Sequence, residues 1–170
     1  VSFFETGVAI DVVSGTADIT GLGLENVSVG LGSDSGASTT VSSIYGQHVA
    51  LLIDGTDADD LTVSNALVSG DRLLWGSIES IALSDMNFTQ ETPGRSAIDL
   101  RCSVDCTFDH LYVHNADIGI DVDGEGTTTF SQSEIHTDQL GLRASGTGLL
   151  VLESSVLTSN VTALSISSMN

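Results

Sequence analysis

The chain has 170 residues, enough for one domain with a sizeable core. It carries 23 acidic residues against four arginines (Arg72, Arg95, Arg101, Arg143) and no lysine, for a formal net charge of −19. That balance excludes nucleic acid as a natural partner, because almost nothing basic is present to neutralise phosphates. The chain opens without Met and shows neither a secretory leader nor a membrane-spanning run, so no membrane insertion is expected.

From Val8 onward, apolar residues recur about every 22 positions. One ladder runs Ile10, Leu31, Leu51, Leu73, Ile98, Ile120, Leu142, Leu164. A second runs Ile19, Val41, Leu61, Ile81, Phe108, Phe130, Leu152, and a third Leu24, Gly46, Ala66, Met86, Val113, Ile135, Leu157. Small or apolar residues stand between the last two: Leu22, Ile44, Ser64, Ser84, Leu111, Ser133, Ser155. Self-similarity at such a period means a solenoid, in which each repeat buries its face only against its neighbours. Within a repeat the local period is two, as where Ile120 and Val122 alternate with Asp121 and Asp123. Gly-rich breaks such as Asp54-Gly55 and Ser145-Gly146-Thr147-Gly148 supply the corners. The pattern predicts an all-β parallel solenoid over 1–170, a single domain of roughly seven coils with three strands each. A leucine-rich repeat overlaps this period, but its expected Asn is Val27, Val49, Ser69, Thr89, Ala116 or Asp138, and only Asn160 fits.

These ladders, with glycine corners and an inward serine stack at Ser133 and Ser155, resemble the right-handed parallel β-helix superfamily. That superfamily holds pectate-lyase-like enzymes, polysaccharide-processing proteins and phage tailspikes. No Gly-His-Gly or Arg-Ile-Lys run occurs, so the resemblance carries over no catalytic residue. The aspartate-rich, lysine-free composition is similar to that of proteins from salt-accumulating archaea and their viruses. At molar salt the Debye length falls to about 3 Å and self-repulsion is screened. Leu164 and Ile166 begin a coil that the sequence does not complete. The chain therefore reads as a segment of a longer polypeptide, or as one capped by partner subunits.

In chain order, glycosylation sequons stand at Asn26, Asn87 and Asn160 and lean toward an extracellular setting. The run Asp54, Asp57, Asp59, Asp60 is a weak Ca²⁺ candidate beside the reading of a solvated turn, with no other cofactor or metal expected. Leu52 and Leu74 are predicted to point outward, as are Leu149, Val151 and Val156, which suggests a subunit contact. Trp75 falls on an inward position. The largest insertion, Phe88 to Ser96, holds the only proline. Beside it the 22-residue period gathers Asp99, Arg101, Asp121, Asp123 and Arg143 into one outward patch over three rungs. Asp99, Asp121 and Asp123 are the candidate catalytic carboxylates, since one- and two-rung separations approach glycosidase spacings. A compensating charge ladder is the competing reading, with Arg101 over Asp123 and Arg143 over Asp121.

Cys102 and Cys106 bracket a corner and form a disulfide candidate, with buried free thiols and a metal pair as alternatives. A second outward patch places His114 and His136 one coil apart, with Tyr112 and Glu134 two residues earlier, as candidate binding residues together with Arg101 and Arg143. The expected function is a non-catalytic attachment or structural module on the surface of a halophilic virus or a cell: a spike, tail fibre or turret. By resemblance to the viral members it would be a homo-oligomer, a trimer, contacting a surface glycan or other virion proteins. The alternative is a secreted polysaccharide lyase or glycoside hydrolase acting on an acidic glycan.

Overall fold

A computed structural model describes residues 1–167. Every regular element among them is a β-strand, and all pair in parallel, stacked about 22 residues apart in a solenoid of about eight turns. The strands are β1 Ser2–Phe4, β2 Val8–Val12, β3 Gly15–Glu25, β4 Val29–Ser33, β5 Ala37–Gln90, β6 Ser96–Gly124, β7 Thr127–Ser131, β8 Glu134–Gly146, β9 Leu149–Glu153, β10 Val156–Ser159 and β11 Thr162–Ser167. In the middle of the chain backbone pairing runs unbroken around corners, so β5 alone winds through more than two coils. The count of about eight turns is one above the sequence expectation.

The core is a single narrow column. Ile10, Leu31 and Ile53 are in register, as are Leu74 with Ile98, and Ile120, Leu142 and Leu164. Leu83, Phe108, Phe130 and Leu152 form another inner rung. The Phe108 and Phe130 rings stack at 4.6 Å with 8° between planes, a geometry set by the coil spacing itself. Ser133 also faces inward. Its hydroxyl accepts the Leu111 N–H at 3.1 Å, and Ser155 accepts the Ser133 N–H at 3.2 Å, so the serine stack satisfies backbone donors inside the core.

One corner repeats in nearly every coil. Gly21, Ser43, Asn65, Asp85, His110, Gln132 and Ser154 all have positive φ, between 48° and 71°. This backbone region is open to Gly and tolerated by Asn and Asp; here Ser, His and Gln adopt it too, and one residue turns the chain from the Phe108 rung to the serine rung. Apart from Gly21 the residues are polar, and they are spaced near 22, so the signal stood in the sequence, although the ladders did not include it.

Register in the third and fourth coils differs from expectation. Ile53 and Leu74, rather than Leu51 and Leu73, continue the first rung. Ile81 lies beside Cys106, Leu83 beside Phe108, and Met86 beside Leu111. Leu52 and Leu74, expected outside, are fully buried, and Trp75, expected inside, is 42% exposed. A close glycine contact lies at this step. A Cβ on Gly76 (φ 148°) would lie 2.5 Å from the Gly55 carbonyl oxygen, so the backbones meet at a spacing that leaves no room for a side chain. Gly55 to Gly76 is the same step as Ile53 to Leu74, and the one-residue difference between Leu73 and Leu74 turns Trp75 outward while both leucines are buried.

Candidate functional site

The strand face outside the first rung carries the charged patch. Asp11, Gly32 and Asp54 occupy successive rungs in one column; Trp75 pairs with Asp99, and Asp121, Arg143 and Ser165 follow. Two residues along, Ser77 pairs with Arg101 and Asp123 with Ser145. Each candidate carboxylate faces a guanidinium. Arg143 forks onto Asp121, its Nε donating to Oδ1 at 2.9 Å and its Nη2 to Oδ2. Arg101 Nε lies 3.8 Å from Asp123 Oδ2, and Arg72 Nη1 lies 3.9 Å from Asp99 Oδ2. The hydrogen bonds that Arg143 donates to Asp121 hold its guanidinium protonated even beyond its ordinary range, with the Asp121 and Asp99 charges adding and desolvation opposing. Exposed pairs of this kind contribute about 0.2–1 kcal/mol each, so they act on alignment between coils more than on net stability.

Arg72 was absent from the expected patch. It is largely covered, and its Nε is buried without a partner. The insertion beside it is clamped by Gln90, whose Nε2 donates to the carbonyls of Asp71 (2.7 Å) and Arg95 (3.2 Å), while its Oε1 accepts the Asp117 N–H at 3.3 Å. Next to the clamp, Glu91 accepts from Ser69 at 2.5 Å and lies 2.8 Å from His48 Nδ1. Burial opposes ionisation of Glu91, but the contacts with Ser69 and His48 outweigh it and hold the carboxyl below its ordinary range.

Cys102 and Cys106 form a disulfide with Cα atoms 6.3 Å apart. It closes the corner where the strand pairing shifts register between Ile78 and Ser80, and it leaves no metal pair there.

The histidine patch is built as its spacing predicts. The rings of His114 and His136 stack at 5.6 Å with 12° between planes, and His136 Nε2 lies 2.5 Å from Glu134 Oε1. Tyr112 stands beside Glu134. A shallow groove of about 410 Å³ adjoins it, lined by Asn115, His136, Thr137, Asp138 and Thr158.

The Ca²⁺ candidate does not assemble. Among the described residues, no three His, Cys, Asp or Glu side chains converge to hold a metal ion. Asp54 instead accepts from Thr56 at 2.7 Å, Asp59 accepts the Gly36 N–H at 3.1 Å, and Asp57 is a positive-φ residue. The acidic run bends around a corner, which spreads its carboxylates over different faces. Of the predicted outward aliphatics, Leu149 and Val156 are exposed and Val151 is half-buried.

Set against known proteins, the chain matches no family model, no curated protein and no solved structure.

Proposed function

We propose that the chain is a stiff, non-catalytic attachment or structural module, displayed on the surface of a halophilic virus or cell. The observation that carries this reading is the pairing of Asp99, Asp121 and Asp123 with Arg72, Arg143 and Arg101 across the coils. Paired carboxylates are engaged in holding register, whereas acid–base hydrolysis calls for one carboxyl group left free to give up a proton. The lysine-free acidic composition supports a high-salt setting, and exposed Leu149 and Val156 support contact with further subunits, a trimer being the form suggested by tailspike resemblance.

The second reading is a secreted carbohydrate-active enzyme, favoured by Trp75. Its exposed ring stands beside Asp99 on the charged face, a platform and a carboxylate on neighbouring rungs. One experiment separates the two. The chain is mixed with host-surface polysaccharide in molar NaCl, and both binding and polymer length are followed. Attachment gives binding with polymer length unchanged. Shortening that Asp121→Asn abolishes, with the fold intact by circular dichroism, would establish the enzyme instead.

A further inference from the structure

An exposed apolar strip lies on the strand face outside the third rung, the face that also bears His114. Tyr45 and Leu67 stand there 53% and 54% exposed, and Tyr112 is half-buried further along. Between Leu67 and Tyr112 the rung is Asn87. It pairs directly with Tyr112, and the positive-φ corners at Asn65 and Asp85 align Leu67 with it on the other side. Asn87 is exposed, Phe88 points into the core fully buried, and Thr89 returns to the outer surface. The sequon Asn87-Phe88-Thr89 thus presents its acceptor amide and its hydroxyl together on the outside of a strand. Alongside runs a groove of about 190 Å³, lined by Tyr45, Gln47, Leu67, Ser69 and Thr89.

The other two sequons lack this setting. Asn26 sits at a positive-φ corner, and Asn160 Nδ2 donates to Asp138 Oδ1 at 3.2 Å. The strip also needs a reason to be tolerated, because salts that are excluded from protein surfaces strengthen the association of uncovered apolar area.

We propose that Asn87 carries an N-linked glycan whose first sugars lie in this groove. Their C–H faces cover Tyr45 and Leu67, and their hydroxyls meet Gln47, Ser69 and Thr89. In the modification Asn87 Nδ2 bonds to the anomeric carbon of a lipid-diphosphate-linked oligosaccharide. The bond from that carbon to the phosphate oxygen breaks, and the amide proton neutralises the departing lipid diphosphate. Because the side chain points outward, the strand keeps all its backbone pairing once modified. The proposal rests on the surface display argued above.

The test is to secrete the full chain from a glycosylating host behind a supplied leader, then map its peptides by mass spectrometry. The Asn87 peptide should gain a glycan mass that Asn87→Gln removes. Enzymatic release, which leaves Asp at this position, should lower Tm by about 2–4 °C, to the value of Asn87→Asp. In a Tyr45→Ser, Leu67→Ser double variant, release should leave Tm unchanged. An unmodified Asn87 overturns the proposal, and so does a glycan whose release leaves the wild-type Tm where it was. Since the leader supplies the route, these results are independent of the functional reading, which fails instead if the native chain is found inside its cell.

Discussion

The coils after Ile98 and the coils between Leu51 and Ser96 are built to different rules. In the later set the core rungs step by 22, with a local shift to 21 between Ala116 and Thr137, the corners at His110, Gln132 and Ser154 have positive φ, and Phe108, Phe130, Ser133 and Ser155 stack like on like. In the earlier set the steps vary, a glycine-on-glycine contact lies at Gly55 and Gly76, and an insertion clamped by Gln90 interrupts the winding. The difference teaches where alignment comes from. Close approach at glycine occurs in both sets, at Gly146 on Gly124 and Gly148 on Gly126 as at Gly76 on Gly55; what the regular coils add is side chains that repeat in register.

The largest test of that contrast is at Leu74 and Trp75. Leu74→Ala should cost about 2–5 kcal/mol, as for a buried leucine, whereas Trp75→Ala should stay within about 0.5 kcal/mol. Chemical denaturation measures both, and the reverse order would restore the register with Trp75 inside. At the junction of the two sets, reducing the Cys102–Cys106 disulfide should cost about 2 kcal/mol, the loop-closure value for so short a ring. A loss near zero would mean that the corner is held by strand pairing alone.

The smallest effect lies in the regular set. There Asp109 accepts from Ser131 at 2.6 Å and lies 3.0 Å from His110 Nδ1. These contacts, Ser131 first and then His110, hold the Asp109 carboxyl below its ordinary 3.8, while Asp109 raises His110 above 6.5. The His110 contribution is full below pH 6.5 and is lost as pH rises through its elevated midpoint. The Asp109 contribution is full above 3.8 and is lost as pH falls through the lowered one. Stabilisation by the pair therefore peaks in between. An NMR titration should place the His110 midpoint above 6.5, and Asp109→Asn should bring it down; an unmoved midpoint would separate the two residues.

Much of the site was legible because a 22-residue period converts sequence distance into contact. Arg143 over Asp121, Arg101 over Asp123, and His114 over His136 all follow from it. Arg72 with Asp99 does not, since the insertion between them breaks the period. Trp75 was misplaced because Leu73 and Leu74 are both apolar, so alternation offered no choice of face. The Asp54 to Asp60 run could suggest a ligand set only if proximity in sequence meant proximity in space; its other reading, a solvated turn, fits the bonds that Asp54 and Asp59 accept.

By itself the sequence determined the class of fold: its ladders, glycines and β-branched residues leave a parallel solenoid as the way to bury an apolar residue every 22 positions. Tertiary structure alone decided the register of the irregular coils, where Leu73 and Leu74 are both buried and Trp75 is left outside. That register depends on which backbones meet between coils, and adjacent apolar residues such as Leu73 and Leu74 carry no alternation that would reveal it.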